Sequence, residues 1–124
     1  MGIILKKCMK CGALVQVIDD CKCDGCGIRC CNEEMVVLDA NSVSADVSKH
    51  MPEYEVKDDK LYVTVNHVME DDHYIEWISV VVDNKEIVTY LTPGKSAVCH
   101  CKYVPGSIIY AYCNKHGLWS KIVS

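Results

Sequence analysis

From about residue 53 to the C-terminus, apolar and polar positions alternate with a period of two. In the run 60–66, Leu61, Val63 and Val65 fall on one face and Lys60, Tyr62 and Thr64 on the other, the pattern of a half-buried strand. Comparable runs cover 74–82, 86–91, 97–103, 107–113 and 118–123, all rich in Val, Ile, Tyr or Trp, residues that suit a pleated surface. Asp83-Asn84 and Thr92-Pro93-Gly94-Lys95 punctuate the runs as turns. Five or six short strands with no convincing amphipathic helix predict a mainly β fold, an antiparallel sandwich or barrel.

The first third of the chain reads differently. Residues 1–38 contain no aromatic residue, and a segment this short without aromatic side chains buries too little to offset chain entropy by burial alone. Seven of the ten cysteines fall within the first 31 residues, while all nine aromatics and all five histidines follow residue 49. The pattern therefore predicts a cysteine-based module over 1–38, a small polar linker over 39–48 and a sandwich over 49–124. Composition agrees with a folding chain: 124 residues, 50% apolar and 24% charged. A net charge of -4 argues against a nucleic-acid partner, which calls for a basic face. No run of eighteen apolar residues exists to span a membrane. The first residues lack the basic start and apolar core of an export signal, so a cytoplasmic location is expected. In a reducing compartment, clustered cysteines point to metal ligation before disulfides.

Metal binding would supply the folding free energy that the first module lacks. Cys8-Met9-Lys10-Cys11-Gly12 is a knuckle whose two-residue spacing aims both sulfurs at one ion. Cys30 and Cys31 are adjacent, so both reach one ion only where the backbone turns sharply. Cys21, Cys23 and Cys26 are additional donors, with a second Cys-x-x-Cys from Cys23 to Cys26. Four thiolates suit tetrahedral iron or zinc, and seven leave room for an iron-sulfur cluster. Spacing alone leaves the ligand set open.

In the second module, His50, His67, His73, Cys113 and His116 lie at predicted strand ends or in loops, where a rigid sandwich carries its binding residues. Cys113-x-x-His116 has the spacing that lets two side chains face one ion. Cys99 and Cys101 share one face of a predicted strand and read as buried core residues, with His100 on the surface side. Glu70-Asp71-Asp72 reads as a solvated loop.

These pieces resemble, over nearly the whole chain, the desulfoferrodoxin branch of the superoxide reductases. Cys8-x-x-Cys11-Gly12 with Cys30-Cys31 resembles the desulforedoxin-like (rubredoxin-like) module. The resemblance implies that these four thiolates bind one iron. The segments Lys49-His50-Met51-Pro52, His67-x5-His73 with Tyr74-Ile75-Glu76-Trp77-Ile78, and Cys113-Asn114-Lys115-His116-Gly117-Leu118-Trp119 resemble the catalytic module in order and spacing. That module is an immunoglobulin-like sandwich in the family. Carried over, a non-haem iron takes imidazoles from His50, His67, His73 and His116 and a thiolate from Cys113, and Lys49 attracts superoxide and helps protonation. The implied activity is one-electron reduction of superoxide to hydrogen peroxide, a detoxifying role in oxidative stress. The implied partners are an electron donor such as rubredoxin and a second copy of the chain in a homodimer.

Three departures from the family pattern stand out. Ser48 occupies the place of a glutamate before Lys-His. Eighteen residues separate Cys11 from Cys30, more than the family pattern leads one to expect, and Cys21, Cys23 and Cys26 are extra. They keep alternatives in view: a zinc or iron-sulfur centre in the first module with those three cysteines as further ligands, or a non-catalytic iron electron carrier or zinc-stabilised protein. A third reading is a metal- or redox-responsive sensor built on the three extra cysteines.

Overall fold

The computed structural model describes residues 2–124, which divide into two compact units, one ending at Asp39 and one spanning Ala40–Ser124.

In the first unit, strands β1 (Ile4–Lys7) and β2 (Leu14–Val17) pair antiparallel across the Cys8–Ala13 knuckle. Two further short strands, β3 (Arg29–Cys30) and β4 (Glu33–Glu34), form a separate hairpin. Strand β5 (Val36–Val37) returns to the free edge of β1. Among the described residues of this unit, the buried apolar side chains are Leu5, Cys8, Val17 and Met35.

The second unit is a sandwich of two antiparallel sheets. Its seven strands are β6 (Glu53–Lys57), β7 (Lys60–Val65), β8 (Ile75–Val82), β9 (Lys85–Tyr90), β10 (Ala97–Lys102), β11 (Ile108–Cys113) and β12 (Gly117–Ile122). One sheet has the order β10-β7-β6 and the other β12-β11-β8-β9. Between them lies one core: Leu61, Val63, Val65 and Ala97 from the first sheet meet Ile75, Ile78, Val80, Val82, Ile109, Ala111 and Cys113 from the second, with Val123 beside them. Alternation along β7 is complete, odd residues buried and even ones exposed, as period two requires.

The predicted runs are found as strands, and β6 is an addition. Glu53–Lys57 is an edge strand with Glu53, Glu55, Val56 and Lys57 exposed, so no buried stripe marks it in the sequence. Asp83-Asn84 forms the predicted two-residue turn between β8 and β9, with Asp83 at φ 53°. Pairing of β8 with β11 shifts register at its end: Tyr112 faces Trp77, but Cys113 faces Ile75. This bulge at Glu76 returns Ile75 to the core beside Cys113. Segment 40–48 is held within the sandwich unit, where Asn41 donates to the Ser120 carbonyl and accepts the Ser120 N–H. Cys99 and Cys101 are half-buried against the core rather than fully enclosed, and burial pushes the Cys99 thiol up to about 11. His100 lies near the Tyr62 ring on the outer face. Among the described residues, no helix is long and apolar enough to cross a membrane.

Candidate metal centres

Two turns build the first site. In the knuckle, the Cys11 N–H donates to Cys8 Sγ at 3.4 Å and the Gly12 N–H to the Cys8 carbonyl at 2.9 Å. Gly12 takes φ +82°, a conformation that costs glycine little. In the β3-β4 hairpin the two turn residues are Cys31 and Asn32, both left-handed at φ 54° and 62°, as in a type I′ hairpin. This is the sharp turn that adjacent cysteines need. It brings Cys31 Sγ to 3.8 Å from Cys30 Sγ, which lies 3.7 Å from Cys11 Sγ. The ligand atoms of Cys8, Cys11, Cys30 and Cys31 all lie within 4.8 Å of one another.

Those separations fit a single ion. Four sulfurs at metal bonds of about 2.3 Å stand about 3.8 Å apart along the edges of a tetrahedron. A four-iron cluster, with one thiolate on each iron, spreads its sulfurs wider. Electrostatics add a second sign of fit. Amides of Cys11 and Lys10 donate toward Cys8 and hold its thiol down to about 7. Cys30, sharing hydrogen bonds with Cys11, Cys8 and Cys31, is pushed up to about 12. Cys8 is thereby disposed toward the thiolate that a metal takes, while Cys30 gives up its proton only to a cation.

Cys21, Cys23 and Cys26 stand outside this group. Cys23 and Cys26 are joined to each other, their Cα atoms 5.8 Å apart, and Cys21 is exposed. The two-residue spacing and Gly25 at φ +69° close a turn that points Cys23 and Cys26 at one another.

The second site draws on four segments of the sandwich. A 3-10 turn over Val47–Lys49 delivers His50, the end of β7 leads to His67, the loop before β8 carries His73, and the β11-β12 turn carries Cys113 and His116. Their ligand atoms also lie within 4.8 Å of one another. Ring contacts run from His50 to His67 at 4.8 Å, His67 to His73 at 4.6 Å, His73 to His116 at 5.2 Å and His116 back to His50 at 4.8 Å. The cycle closes, so the imidazoles form a square, with His67 and His116 at opposite corners. Cys113 Sγ lies 3.4 Å from His67 Nε2 and 3.7 Å from His116 Nδ1. A sulfur near two opposite corners sits off the square, toward its axis.

Two of the rings are oriented from behind. His50 Nδ1 faces the Asp46 carbonyl at 2.7 Å and His67 Nδ1 the Val68 carbonyl at 2.5 Å. With those nitrogens as donors, Nε2 of both rings is left as a lone pair toward the centre. His73 Nε2 is buried with no hydrogen-bond partner, an orphaned polar atom that a metal would satisfy. His116 turns Nδ1 inward, 3.0 Å from His50 Nε2, the edge expected for adjacent nitrogens with metal bonds of about 2.1 Å. Burial first, and then the facing imidazoles, hold His67 and His116 below the usual histidine value. Both are neutral ligands at pH 7. The donor set, four neutral nitrogens and one thiolate, suits iron.

Several supports carry no sequence signal of their own. Asn114 Oδ1 accepts the Tyr74 N–H at 3.0 Å and its Nδ2 donates to the Asp72 carbonyl at 2.9 Å. The Cys113-x-x-His116 loop is thereby fixed to the loop of His73, itself closed by two backbone hydrogen bonds between Glu70 and His73. Trp119 stacks on His50 with centroids 5.0 Å apart, and its Nε1 donates to the His116 carbonyl at 3.1 Å. Asp46 caps the 3-10 turn: its carboxylate takes the Ser48 hydroxyl at 2.7 Å and the Ser48 N–H at 3.0 Å. Ser48 is thus spent on the cap. Lys49 ends that turn, exposed, one residue before His50. Glu70, Asp71 and Asp72 are exposed as expected.

Comparison with known proteins matches this picture. A family profile described as Desulfoferrodoxin covers residues 42–122. The chain is 35% identical to a desulfoferrodoxin of Syntrophotalea carbinolica, with 92% of this chain and 91% of that one aligned. It is 36% identical to a desulfoferrodoxin homolog of Archaeoglobus fulgidus over 91% of each chain. In three dimensions it resembles the superoxide reductase from Treponema pallidum, with a TM-score of 0.68 and 23% identity over 94% of this chain and 98% of that one. A profile match over most of the chain and relatives aligned along both units agree with the two donor sets, and this chain belongs to the desulfoferrodoxin family.

Proposed function

We propose that this chain is a superoxide reductase, converting superoxide to hydrogen peroxide at the His50, His67, His73, His116 and Cys113 site. One electron and two protons are taken up per superoxide, and an external one-electron donor such as rubredoxin restores the electron. The observation that carries the reading is the square of imidazoles with one sulfur displaced to one side. Family membership and the name of the Treponema pallidum protein support it. Iron held by these five residues would supply the redox couple and a place for a small anion.

The chain's own residues set the conditions. Cys113 is fully buried, so its sulfur is screened from water and from oxidants. The His116 N–H donates to that sulfur at 3.4 Å and limits how far its charge spreads. Asp46, Val68 and Trp119 fix ring orientation from behind, as conserving geometry through a redox cycle requires. Lys49 places a positive charge beside His50 on a chain of net charge -4, and a local field governs capture of an anion more than the total charge does. Its ammonium is also the proton donor in this reading. Ser48 is neutral, so no carboxylate at that position opposes the approaching anion.

The Cys8, Cys11, Cys30 and Cys31 site holds a second iron, structural or electron-transferring, in the same reading. By resemblance the protein works in the cytoplasm as a homodimer, which sedimentation of the iron-loaded protein measures. The test of function is a superoxide dose to pre-reduced, iron-loaded protein. Peroxide should form without dioxygen. Release of dioxygen along with peroxide would mean dismutation, and unchanged superoxide decay would mean a carrier without catalysis.

A further inference from the structure

Besides Cys99 and Cys101 in the sandwich, three cysteines stand outside both donor sets: Cys21, Cys23 and Cys26. They lie in the segment between β2 and β3, which has no strand of its own. Cys23 and Cys26 are joined across a turn whose Gly25 takes a left-handed φ with open space around it. Cys21 and Cys23 are exposed and Cys26 half-buried. The four-thiolate site is complete without them, since tetrahedral coordination takes four donors. Opening or closing the Cys23–Cys26 bond breaks no strand pairing, because neither residue belongs to a ladder.

We propose that Cys23 and Cys26 form a reversible dithiol/disulfide couple oxidised by hydrogen peroxide, separate from both metal centres. The assignment of peroxide as oxidant rests on the function proposed above, whose product it is. The chemistry balances in two steps. One thiolate sulfur attacks a peroxide oxygen, the O–O bond breaks, and one water leaves, giving a sulfenic acid. The second thiol's sulfur then attacks that sulfur, the S–O bond breaks, and a second water leaves with the disulfide formed. In sum, two thiols lose two electrons and two protons, and one peroxide becomes two waters. A dithiol reductant returns both by exchange. Cys11 and Cys31 of the four-thiolate site are exposed too, so availability of the sulfur lone pair, and not access, favours the pair. Ligand thiolates have their lone pairs committed to the ion.

Trypsin gives a direct readout. Cleavage after Lys22 and Arg29 releases the peptide 23–29, which contains Cys23 and Cys26 and no other cysteine, while Cys21 leaves in the preceding peptide with Cys11. Iron-loaded protein is first reduced with a dithiol, freed of it, treated with added peroxide, then denatured in acid and alkylated. Peroxide is supplied as a reagent, so the result does not depend on whether the chain reduces superoxide. The expected result is peptide 23–29 lighter by two hydrogens and unalkylated, with iron content unchanged. Treatment with dithiol should restore two alkylation sites, and a Cys23→Ser, Cys26→Ser double variant should keep its iron and lose the peroxide-dependent change. Peptide 23–29 retaining two free thiols after peroxide overturns the proposal. Iron release in step with thiol loss, or in the double variant, would make these residues ligands and overturn it as well. Crosslinking of peptide 23–29 to the Cys21 peptide would overturn the pairing.

Discussion

The two metal sites are built from the same device, donors delivered by tight turns and braced by backbone amides, yet they stand on opposite foundations. Cys8, Cys11, Cys30 and Cys31 sit on two short hairpins, and among the described residues of their unit the other buried apolar side chains are Leu5, Val17 and Met35. His50, His67, His73, His116 and Cys113 sit at one end of a sandwich with a twelve-residue core, of which Cys113 is a member. In the first unit the ion is the core. In the second, the core exists before the ion and holds the donors in wait. A thiolate site can therefore organise a chain that could not fold otherwise, whereas an open catalytic site needs a scaffold that is rigid without it.

Stripping metal gives the largest contrast. A chelator should unfold the first unit, where the ion supplies on the order of 10 kcal/mol by analogy with small zinc domains, and leave the sandwich folded. Amide exchange would show protection lost across β1, β2 and β5 but kept in β7, β8 and β11. Equal loss in both units breaks the comparison.

His67→Ala is next in size. It removes one corner of the square, so iron at the second site should fall steeply while the first centre keeps its spectrum. Metal analysis with visible spectroscopy reads both, and loss of both spectra together would show that the units depend on each other. Asn114→Ala touches no donor but unties the His73 loop from the Cys113-x-x-His116 loop. Supports of this kind are worth about 10–100-fold in metal affinity, and competition with a calibrated chelator should show a weakening confined to the second site. Lys49→Ala should slow the bimolecular reaction with superoxide by up to about tenfold and flatten its dependence on ionic strength. Unchanged rate and salt slope would remove Lys49 from the steering role.

The smallest effect is in pH. His67 and His116 are held below the usual 6.5 in the folded unit, so between that value and their lowered ones the unfolded chain binds more protons. Stability of the metal-free sandwich should therefore fall as pH drops below 6.5. Denaturant midpoints between about pH 7.5 and about pH 5.5 (one unit either side of a free imidazole) measure it, and a flat profile contradicts the assignment.

Much of this architecture is legible in the sequence, for a physical reason. Strand β7 shows its buried stripe as Leu61, Val63 and Val65 because one face of an antiparallel sheet excludes water and the other does not. Edge strand β6 has no such contrast and stays hidden. The donors His50, His67, His73, Cys113 and His116 could be picked out by residue type and position, and the fold brings them together. Their square could not be read, because it depends on which ring nitrogen each carbonyl claims: Asp46 and Val68 take Nδ1 of His50 and His67, while His116 turns Nδ1 inward. The adjacent pair Cys30-Cys31 signals that a sharp turn is needed, and Asn32 is the one residue there that favours a left-handed φ. Asn114 and Trp119 act through backbone atoms of other segments, and contacts of that kind leave no trace in spacing.

The central claim is that Cys113 and the four imidazoles share one iron. The most direct measurement is the visible spectrum of the oxidised, iron-loaded protein compared with that of Cys113→Ser. A sulfur-to-iron(III) charge-transfer band should be present in the parent and absent from the variant, with the bands of the first centre unchanged. A band that survives the substitution, or an oxidised parent that holds iron at the second site without one, contradicts the account.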